Sequence, residues 1–224
     1  MVDSNKCDLS SKTLFIQSAK LTDADSLHNV RRKAWEIAYK DIYTQDEIKN
    51  YFNGSANERR TWPSIDYTVE ETFVCYIRRK GNELLSQDDD TDISNHRTGN
   101  YLTVKEQKEI EEGEESKLVI GGYAKWCFTS NQKGELLSLY IHPTYWNLGC
   151  GSMLWDHIML RCQEEFISSL DIWVLDKARS KDFYISKGCH QSVEQHKGKS
   201  GKSGDYFIGQ HQEKALCYEK KFTK

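Results

Sequence analysis

Apolar residues recur with two different periods along this chain, and these periods divide it into strands and helices. Alternating apolar and polar positions, or short runs of β-branched and aromatic residues, are typical of strands. Such stretches lie at residues 13–18, 72–78, 119–128, 135–141, 170–175, 206–208 and 215–222. Apolar residues spaced three to four apart predict helices over about 22–39, 44–52, 151–166 and 178–186. The order β-α-α-β-β-β-α-β-α-β-β predicts an α/β fold with a mixed, mostly antiparallel central sheet flanked by helices.

Residues that favour caps and turns mark several of these boundaries. Thr22 offers an N-cap for the first helix and Thr44 for the second. Gly188 follows the last predicted helix, where a C-cap glycine belongs. Inside the third predicted strand, the pair Gly121-Gly122 predicts a bulge or a close approach of another backbone. A turn at residues 131–134 joins that strand to the next and predicts a hairpin.

One long segment departs from this pattern. Residues 83–115 contain eleven acidic and three basic residues, and few large apolar side chains. Because such a segment buries too little surface to order itself, we expect a flexible acidic insertion at about 83–116. It would interrupt a single domain spanning 13–224, which follows a flexible N-terminus at 1–12. The alternative is that the insertion is an acidic docking surface for a basic partner.

Composition narrows the class of protein. The chain has 224 residues, a net charge of -3 and a pI near 6.2, which gives no global attraction to nucleic acid. No apolar stretch reaches the length of a membrane span, and the N-terminus lacks an apolar signal core, so we expect a cytoplasmic protein. The seven cysteines include no Cys-x-x-Cys pair. We therefore expect no disulfide framework and no metal site, but thiols that pack as small buried hydrophobes.

A glycine-rich turn carries the clearest functional signal. The predicted strand ending at Ile141-His142-Pro143 is followed by Gly149-Cys150-Gly151 and then by a helix. A strand, glycine turn and helix in this order place unbonded N–H groups at a helix N-terminus, which favours a phosphate group. A dinucleotide fingerprint would need a third glycine where Leu154 stands. The Gly-Lys-Ser triplets at 198–200 and 201–203 lack the upstream glycine of a P-loop. A third interpretation, acyl-coenzyme A, rests on resemblance to a known family.

Three segments in the expected order support that interpretation. Residues 137–143 look like the central strand of the GCN5-related N-acetyltransferase (GNAT) family, and residues 145–152 look like its Arg/Gln-x-x-Gly-x-Gly/Ala pyrophosphate loop. Residues 178–189 look like its Asn-x-Arg-Ala-x-x-Phe-Tyr-x-x-x-Gly-Phe segment, and residues 34–39 are also similar to members of the family. The chain therefore resembles this family over most of its length. The resemblance implies an acyl-CoA N-acyltransferase fold, with acetyl-CoA as the acyl donor.

The resemblance also implies the binding residues. The strand backbone would pair with the pantetheine arm, the N–H groups of the glycine turn would hold the pyrophosphate, and flanking side chains would complete the site. The implied cofactor-binding residues are Leu139, Tyr140, Ile141, Trp146, Asn147, Leu148, Gly149, Cys150, Gly151, Ser152, Lys177 and Phe183. Two of them depart from the family pattern: Trp146 replaces Arg or Gln, and Lys177 replaces Asn. Lys177 could contact a phosphate of coenzyme A, or it could be an ordinary surface lysine.

Two residues are implied as catalytic. Tyr184 lies at the motif tyrosine and would protonate the leaving thiolate, because a phenol and a thiol have pKa values of similar size. The alternative is a packed core tyrosine. Glu135 begins the central strand and would deprotonate the attacking amine, directly or through water. The alternative is a charge at the hairpin edge. His142 is a weaker candidate base and is better explained as a structural residue.

The resemblance favours an enzyme that moves an acetyl group from acetyl-CoA to a primary amine by direct transfer in a ternary complex, without a covalent cysteine intermediate. Two other functions stay open. One is a non-catalytic acyl-CoA-binding regulatory module, indicated by Trp146 and Lys177. The other is a protein-interaction domain that uses the insertion. The amine could belong to a small molecule or to a protein, and the acidic insertion mildly favours a cationic one. No nucleic acid or membrane partner is expected, and the chain would be a monomer or a homodimer.

Overall fold

The computed structural model describes residues 13–53, 70–79, 117–129, 132–192, 205–208 and 211–222. The predicted flexible N-terminus, the predicted acidic insertion and the Gly-Lys-Ser triplets at 198–203 lie outside these residues. The described strands are β1 (Thr13–Ser18), β2 (Glu70–Arg79), β3 (Lys117–Thr129), β4 (Lys133–Ile141), β5 (Ser169–Leu175), β6 (His190–Gln191), β7 (Asp205–Ile208) and β8 (His211–Lys221). The helices are α1 (Ala24–Ala38), α2 (Gln45–Asn53), α3 (Cys150–Glu164) and α4 (Ser180–Ser186).

The strands form one mixed sheet in the order β1-β2-β3-β4-β5-β8-β6, and β7 pairs with β8. Every pairing is antiparallel except that of β4 with β5, which is parallel. Parallel neighbours need a crossover, and α3 supplies it between β4 and β5. The mixed, mostly antiparallel sheet with flanking helices confirms the predicted fold class. The two-residue strand β6 was not anticipated, because so short a stretch has no readable period.

The two faces of the sheet are covered differently. On one face, α1 packs Leu27 and Val30 against Val74, Tyr76 and other side chains of β2 and β3. On the opposite face, α3 and α4 cover the larger core, where Leu154 of α3 is fully buried. The six cysteines that the structure describes are all buried, as expected for thiols that act as small hydrophobes.

The beginnings of the first two helices show how well local cues work. Thr44 caps α2 as predicted: its hydroxyl accepts from Glu47 N at 3.2 Å, and Glu47 Oε2 accepts from Thr44 N at 2.8 Å. The predicted N-cap Thr22 of α1 is wrong, because a 3₁₀ turn over Leu21–Asp23 precedes the helix. Asp23 is the N-cap instead. Its buried carboxylate accepts from Lys20 N and from the Tyr76 hydroxyl, both at 2.8 Å.

The glycine pair in β3 forms the predicted bulge. Cys75 of β2 pairs with Gly122 and Tyr76 pairs with Ile120, so Gly121 is the extra residue. Gly122 lies against β4, where a Cβ atom would contact the side chain of Ile141 and stand 2.6 Å from the Tyr140 carbonyl oxygen. Both functions of the glycines, bulge and close approach, are therefore present at neighbouring positions.

We expect Gly122→Ala to lower the free energy of unfolding by about 2 to 3 kcal/mol, because the added methyl overlaps the β4 backbone, which cannot move independently. Urea denaturation measures the effect. Gly151→Ala is the matched control, since its nearest neighbour would be 3.6 Å from the new Cβ atom. Equal stability of the two variants would contradict the close approach of β3 and β4.

Candidate active site

The central feature of the site is a gap between the parallel strands β4 and β5. The two strands pair only through four residue pairs, Lys133–Leu136 with Ser169–Ile172. Opposite Lys125 and Trp126, the β3–β4 register shifts by one residue, which makes Leu137 a bulge. Beyond this bulge, β4 continues beside β3 and β5 continues beside β8. In the described residues, the second half of β4 therefore presents one backbone edge to the gap.

Backbone alternation identifies the groups on that edge. His142 N donates to Gly121 O at 2.9 Å, so the backbone of His142 points toward β3. In an antiparallel pair, consecutive residues point their N–H and C=O groups in opposite directions. Leu139 and Ile141 consequently point theirs into the gap, whereas Tyr140 pairs with Tyr123 of β3. Two of the predicted pantetheine-binding residues thus offer backbone groups to a ligand in the gap.

Trp146 closes the end of this edge. Its indole Nε1 donates to Ile141 O at 2.8 Å, and the ring stays 39% exposed. In the sequence, Trp146 is implied as a cofactor-binding residue and departs from the Arg or Gln of the family pattern. The structure shows that the substituted side chain folds back onto the strand, where it occupies one carbonyl of the gap.

The predicted phosphate loop has the backbone geometry that an anion requires. Asn147 and Gly149 have positive φ values of 62° and 90°, and Gly149 is the N-cap of α3. Glycine suits this left-handed position because it has no Cβ atom. Met153 N donates to Gly149 O at 2.9 Å and is the first such bond of the helix. The preceding N–H groups of Cys150, Gly151 and Ser152 belong to the first turn, whose donors have no intrahelical acceptor.

Phe183 and Tyr184 bring α4 to the same gap. A Cβ atom on Gly151 would lie 3.6 Å from Ile141 and 3.8 Å from Phe183, so α4 faces the start of α3 across the end of β4. Tyr184 is 7% exposed and packs its ring against Trp155 and Phe183 at centroid distances of 5.9 and 5.3 Å. Burial raises the pKa of Tyr184, with a further contribution from Tyr140. Tyr184 is therefore a core residue whose phenol is held in its neutral, protonated form.

Tyr140 lies between α1 and α4. It packs against the cluster beneath α1, and it contributes to the raised pKa of Tyr184 on α4. Its ring lies 6.0 Å from the Arg31 guanidinium carbon of α1 and 5.8 Å from the Tyr123 ring. The open half of β4 thus carries an aromatic side chain that is near residues of both helices.

Glu135 lies before the bulge, in the part of β4 that still pairs with β5. It is 3% exposed, and its register partners are Cys127 of β3 and Asp171 of β5. Asp171, itself 9% exposed, pairs in turn with Glu219 of β8. Residues in register share a face of a sheet, so these three carboxylates form a row on the face that α1 covers further along. The predicted alternative of an exposed charge at the hairpin edge is wrong, because Glu135 is buried in the middle of the sheet.

The other candidates occupy defined places. His142 Nδ1 accepts from Thr144 N at 3.3 Å and caps the 3₁₀ turn after β4, which agrees with a structural role. Cys150 is 1% exposed and its thiol faces the Cys75 thiol, whose hydrogen bond lowers the pKa of Cys150. This thiol points into the core, away from the gap. Lys177 is exposed in the turn after β5, at the same edge of the sheet as the glycine loop.

Side chains of α1 and α2 that lie near β4, including Arg31 and Tyr51, were not predicted from the sequence to belong to the site. Arg31 Nη2 donates to the Tyr51 hydroxyl at 2.8 Å, and Tyr51 stacks on Trp35 at 4.9 Å. Tyr123 lies in contact with Ser138 of β4 and near Arg31. No local signal in the sequence indicates that Arg31 turns toward β4.

Comparison with known proteins identifies the family. The sequence model of the Acetyltransferase (GNAT) family matches residues 46–189, which is more than half of the chain, so the protein belongs to this family. No curated protein matches the sequence. Among the described residues, none of the helices is both long enough and apolar enough to cross a membrane.

Solved structures share the fold at low sequence identity. PaiA N-acetyltransferase from Thermoplasma acidophilum, solved in complex with coenzyme A, has a TM-score of 0.61 and 15% identity over 94% of this chain and 99% of that chain. A GCN5-related N-acetyltransferase from Rhodopseudomonas palustris has a TM-score of 0.57 and 12% identity, over 95% and 98%. The ribosomal-protein-S18-alanine N-acetyltransferase from Escherichia coli has a TM-score of 0.50 and 11% identity, over 95% and 96%. These matches support the acyl-CoA N-acyltransferase fold.

Proposed function

We propose that this protein transfers the acetyl group of acetyl-CoA to a primary amine, directly and within a ternary complex. The observation that carries the proposal is the gap between β4 and β5. One open backbone edge of β4 leads from the Leu137 bulge to the N–H groups at the start of α3, and Tyr140 on this part of β4 is close enough to Tyr184 to affect its pKa. A long, flexible molecule with a phosphate at one end and a reactive group at the other fits such a groove.

The residues along the gap suit both the pantetheine arm and the pyrophosphate of coenzyme A. The backbone of Leu139 and Ile141 would hydrogen-bond the pantetheine amides as an added strand does. The first-turn N–H groups of α3 would bind the pyrophosphate, with the helix dipole favouring its negative charge. Gly151 keeps the approach to these groups open, because a side chain there would project toward Ile141 and Phe183. Trp146 stands beside this path, and Lys177 could meet a phosphate at the same edge.

Acetyl-CoA would supply an acetyl group already activated as a thioester, so the protein would supply positioning and proton transfer. Glu135 would accept a proton from the acceptor's ammonium group through a water molecule, because its carboxylate lies buried just before the bulge, and the neutral amine would then attack the thioester carbon. A backbone N–H on the open edge would polarise the reacting carbonyl. Tyr184 would give its proton to the departing thiolate. Cys150 would take no covalent part, since its thiol faces Cys75.

The test combines calorimetry with a thiol-release assay over a panel of primary amines. We expect coenzyme A to bind, and at least one amine to release coenzyme A thiol from acetyl-CoA. Binding without release for any amine would support the non-catalytic acyl-CoA module, for which the Trp146–Ile141 hydrogen bond is the structural argument. Failure to bind coenzyme A would exclude both functions.

Gly151→Val should weaken coenzyme A binding about tenfold, whereas Gly151→Ala should bind normally, because the loop pattern admits alanine at this position. The alanine methyl fits the folded chain, since its nearest neighbours would stand 3.6 to 3.9 Å away, but the two further methyl groups of valine narrow the approach to the N–H groups. Calorimetry gives the dissociation constant, and urea denaturation shows whether each variant keeps its stability. An unchanged dissociation constant for Gly151→Val would place the pyrophosphate elsewhere.

A further inference from the structure

The side of the gap that faces α1 carries a fixed positive charge. The Arg31 guanidinium carbon lies 5.3 Å from the Trp35 ring centroid, 5.5 Å from the Tyr51 and Phe52 centroids and 6.0 Å from the Tyr140 centroid. These rings come from α1, α2 and β4, so three elements hold the guanidinium in one place. Arginine stays charged at every working pH, and stacking on aromatic faces stabilises that charge.

Hydroxyl groups from the same elements accompany this charge. Arg31 donates to the Tyr51 hydroxyl, and the Tyr123 hydroxyl lies in hydrogen-bonding contact with Ser138, close to Arg31. Burial raises the pKa of Tyr123, so its phenol remains a neutral donor. Arg31 is itself only partly buried. Guanidinium and phenol groups held together in this way form a wall that suits an anion.

The location of this wall ties it to the acceptor. Tyr140 and Ser138 belong to the stretch of β4 that follows the Leu137 bulge, which is the open half of the strand. Tyr140 is also close enough to Tyr184 to contribute to the raised pKa of that phenol. The guanidinium of Arg31 thus lies beside the open half of β4, where the proposed reaction would occur. It is on the α1 side, which the acceptor would occupy when coenzyme A lies along the β4 edge.

We propose that Arg31 is a specificity-determining residue that binds a carboxylate of the acceptor, so that the substrate is an amine that also carries a carboxylate group. This inference rests on the proposed acetyltransferase function and names its substrate class. A second positive charge on the acceptor would be repelled by Arg31, whereas a carboxylate can form two parallel hydrogen bonds with the guanidinium. Glu135 would then face the amine end and Arg31 the acidic end of one molecule.

The test compares amines that share a skeleton: a free amino acid, its carboxamide, the amine left after removal of the carboxylate, and a dipeptide with its own C-terminal carboxylate. The wild-type protein should prefer the amino acid or the dipeptide over the decarboxylated amine by about 10- to 100-fold in kcat/KM, the range of a charge-assisted contact. The carboxamide should behave like the decarboxylated amine. A higher kcat/KM for the amino acid than for the dipeptide indicates that the carboxylate belongs to a free amino acid, and the reverse order indicates a peptide.

Variants of Arg31 test whether this side chain causes the preference for carboxylated amines. Arg31→Gln should abolish it, mainly by raising KM for the carboxylated amine, and Arg31→Lys should restore part of it. Arg32→Gln is the matched control, because Arg32 is the next residue of α1 and contacts Asn29 and Glu36 instead. Calorimetry with coenzyme A alone should give the same affinity for all three variants and the wild type.

The outcomes separate the two levels of the proposal. Equal use of all amines, or a carboxylate preference that survives Arg31→Gln, overturns the role of Arg31 and leaves the acetyltransferase proposal standing. If coenzyme A binds but no amine reacts, the N-acetyl amino acid is titrated by calorimetry into the complex of the protein with coenzyme A. The role of Arg31 predicts binding of this carboxylated product, and absence of binding also overturns the inference. Failure to bind coenzyme A removes the proposed function itself.

Discussion

Replacing Tyr184 by phenylalanine is expected to lower kcat by about 100-fold while leaving coenzyme A affinity unchanged. General acid catalysis contributes about 10² to 10⁴ in rate, and the phenol hydroxyl is the only group that this substitution removes. Steady-state kinetics with the best amine of the panel give kcat, and calorimetry gives the affinity. Because Tyr184 is 7% exposed and its ring packs on Trp155 and Phe183, the phenylalanine ring should preserve the fold.

The control for this variant is Tyr218→Phe. Tyr218 is 5% exposed and belongs to the same core cluster, but it lies on β8, away from the end of β4. It should keep near-normal kcat. If both variants lose activity equally, or if Tyr184→Phe keeps its activity, Tyr184 is a core residue and not the acid.

The raised pKa of Tyr184 adds a dependence on pH. A phenol whose pKa lies above its ordinary value of about 10 stays protonated throughout the range in which such an enzyme is assayed. The proton donor is therefore present at neutral and moderately alkaline pH, and Tyr184 should cause no fall in kcat below about pH 10.

Glu135→Gln should reduce kcat/KM by about 100-fold at neutral pH and by much less at pH values above the pKa of the amine. The carboxylate is needed to remove a proton from an ammonium, but a large part of the amine is already neutral at high pH. A full profile of kcat/KM against pH measures this recovery. The glutamine side chain has nearly the same shape, so coenzyme A binding should persist.

Glu70→Gln provides the comparison for Glu135. Glu70 stands in the same row across the sheet, where it pairs with Cys127, but its carboxylate contacts Lys125 at 2.5 Å on β3. Its loss should leave the shape of the pH profile intact. A uniform loss at every pH for Glu135→Gln would instead indicate a structural role for the buried carboxylate, alongside Asp171.

Local features of the fold could be predicted because short-range chemistry determines them. The glycine pair of β3 indicated a bulge, and Thr44 indicated the start of α2, since both effects depend on neighbouring backbone groups. The glycine loop before α3 was found in the same way. In α1, the apolar period located the helix, but the cap was misassigned because the buried contact between Asp23 and Tyr76 joins residues far apart in sequence.

The arrangement of the site depended on long-range register, which a single sequence does not specify. No glycine marks the Leu137 bulge in the sequence. The separation of β4 from β5 depends on how the strands pair. The carboxylate row through Glu135 and Asp171 arises from the same register. Arg31 reaches the gap only because α1 and α2 pack together through Trp35 and Tyr51. The resemblance of three short segments to one family implied the cofactor, whereas the proposal for the acceptor depends on residues that only tertiary packing brings together.

The short junction between β4 and β5 has a consequence for the mechanics of the whole molecule. Four residue pairs and the adjacent hydrogen bond from Ser168 N to Gln132 O connect the β1–β4 half of the sheet to the half formed by β5, β8 and β6. A ligand that lay along the open edge of β4 and also contacted α4 would span the two halves. Part of its binding free energy would then oppose local opening of the C-terminal strands. An acyl donor bound in the gap would therefore also strengthen the junction between the two halves of the sheet.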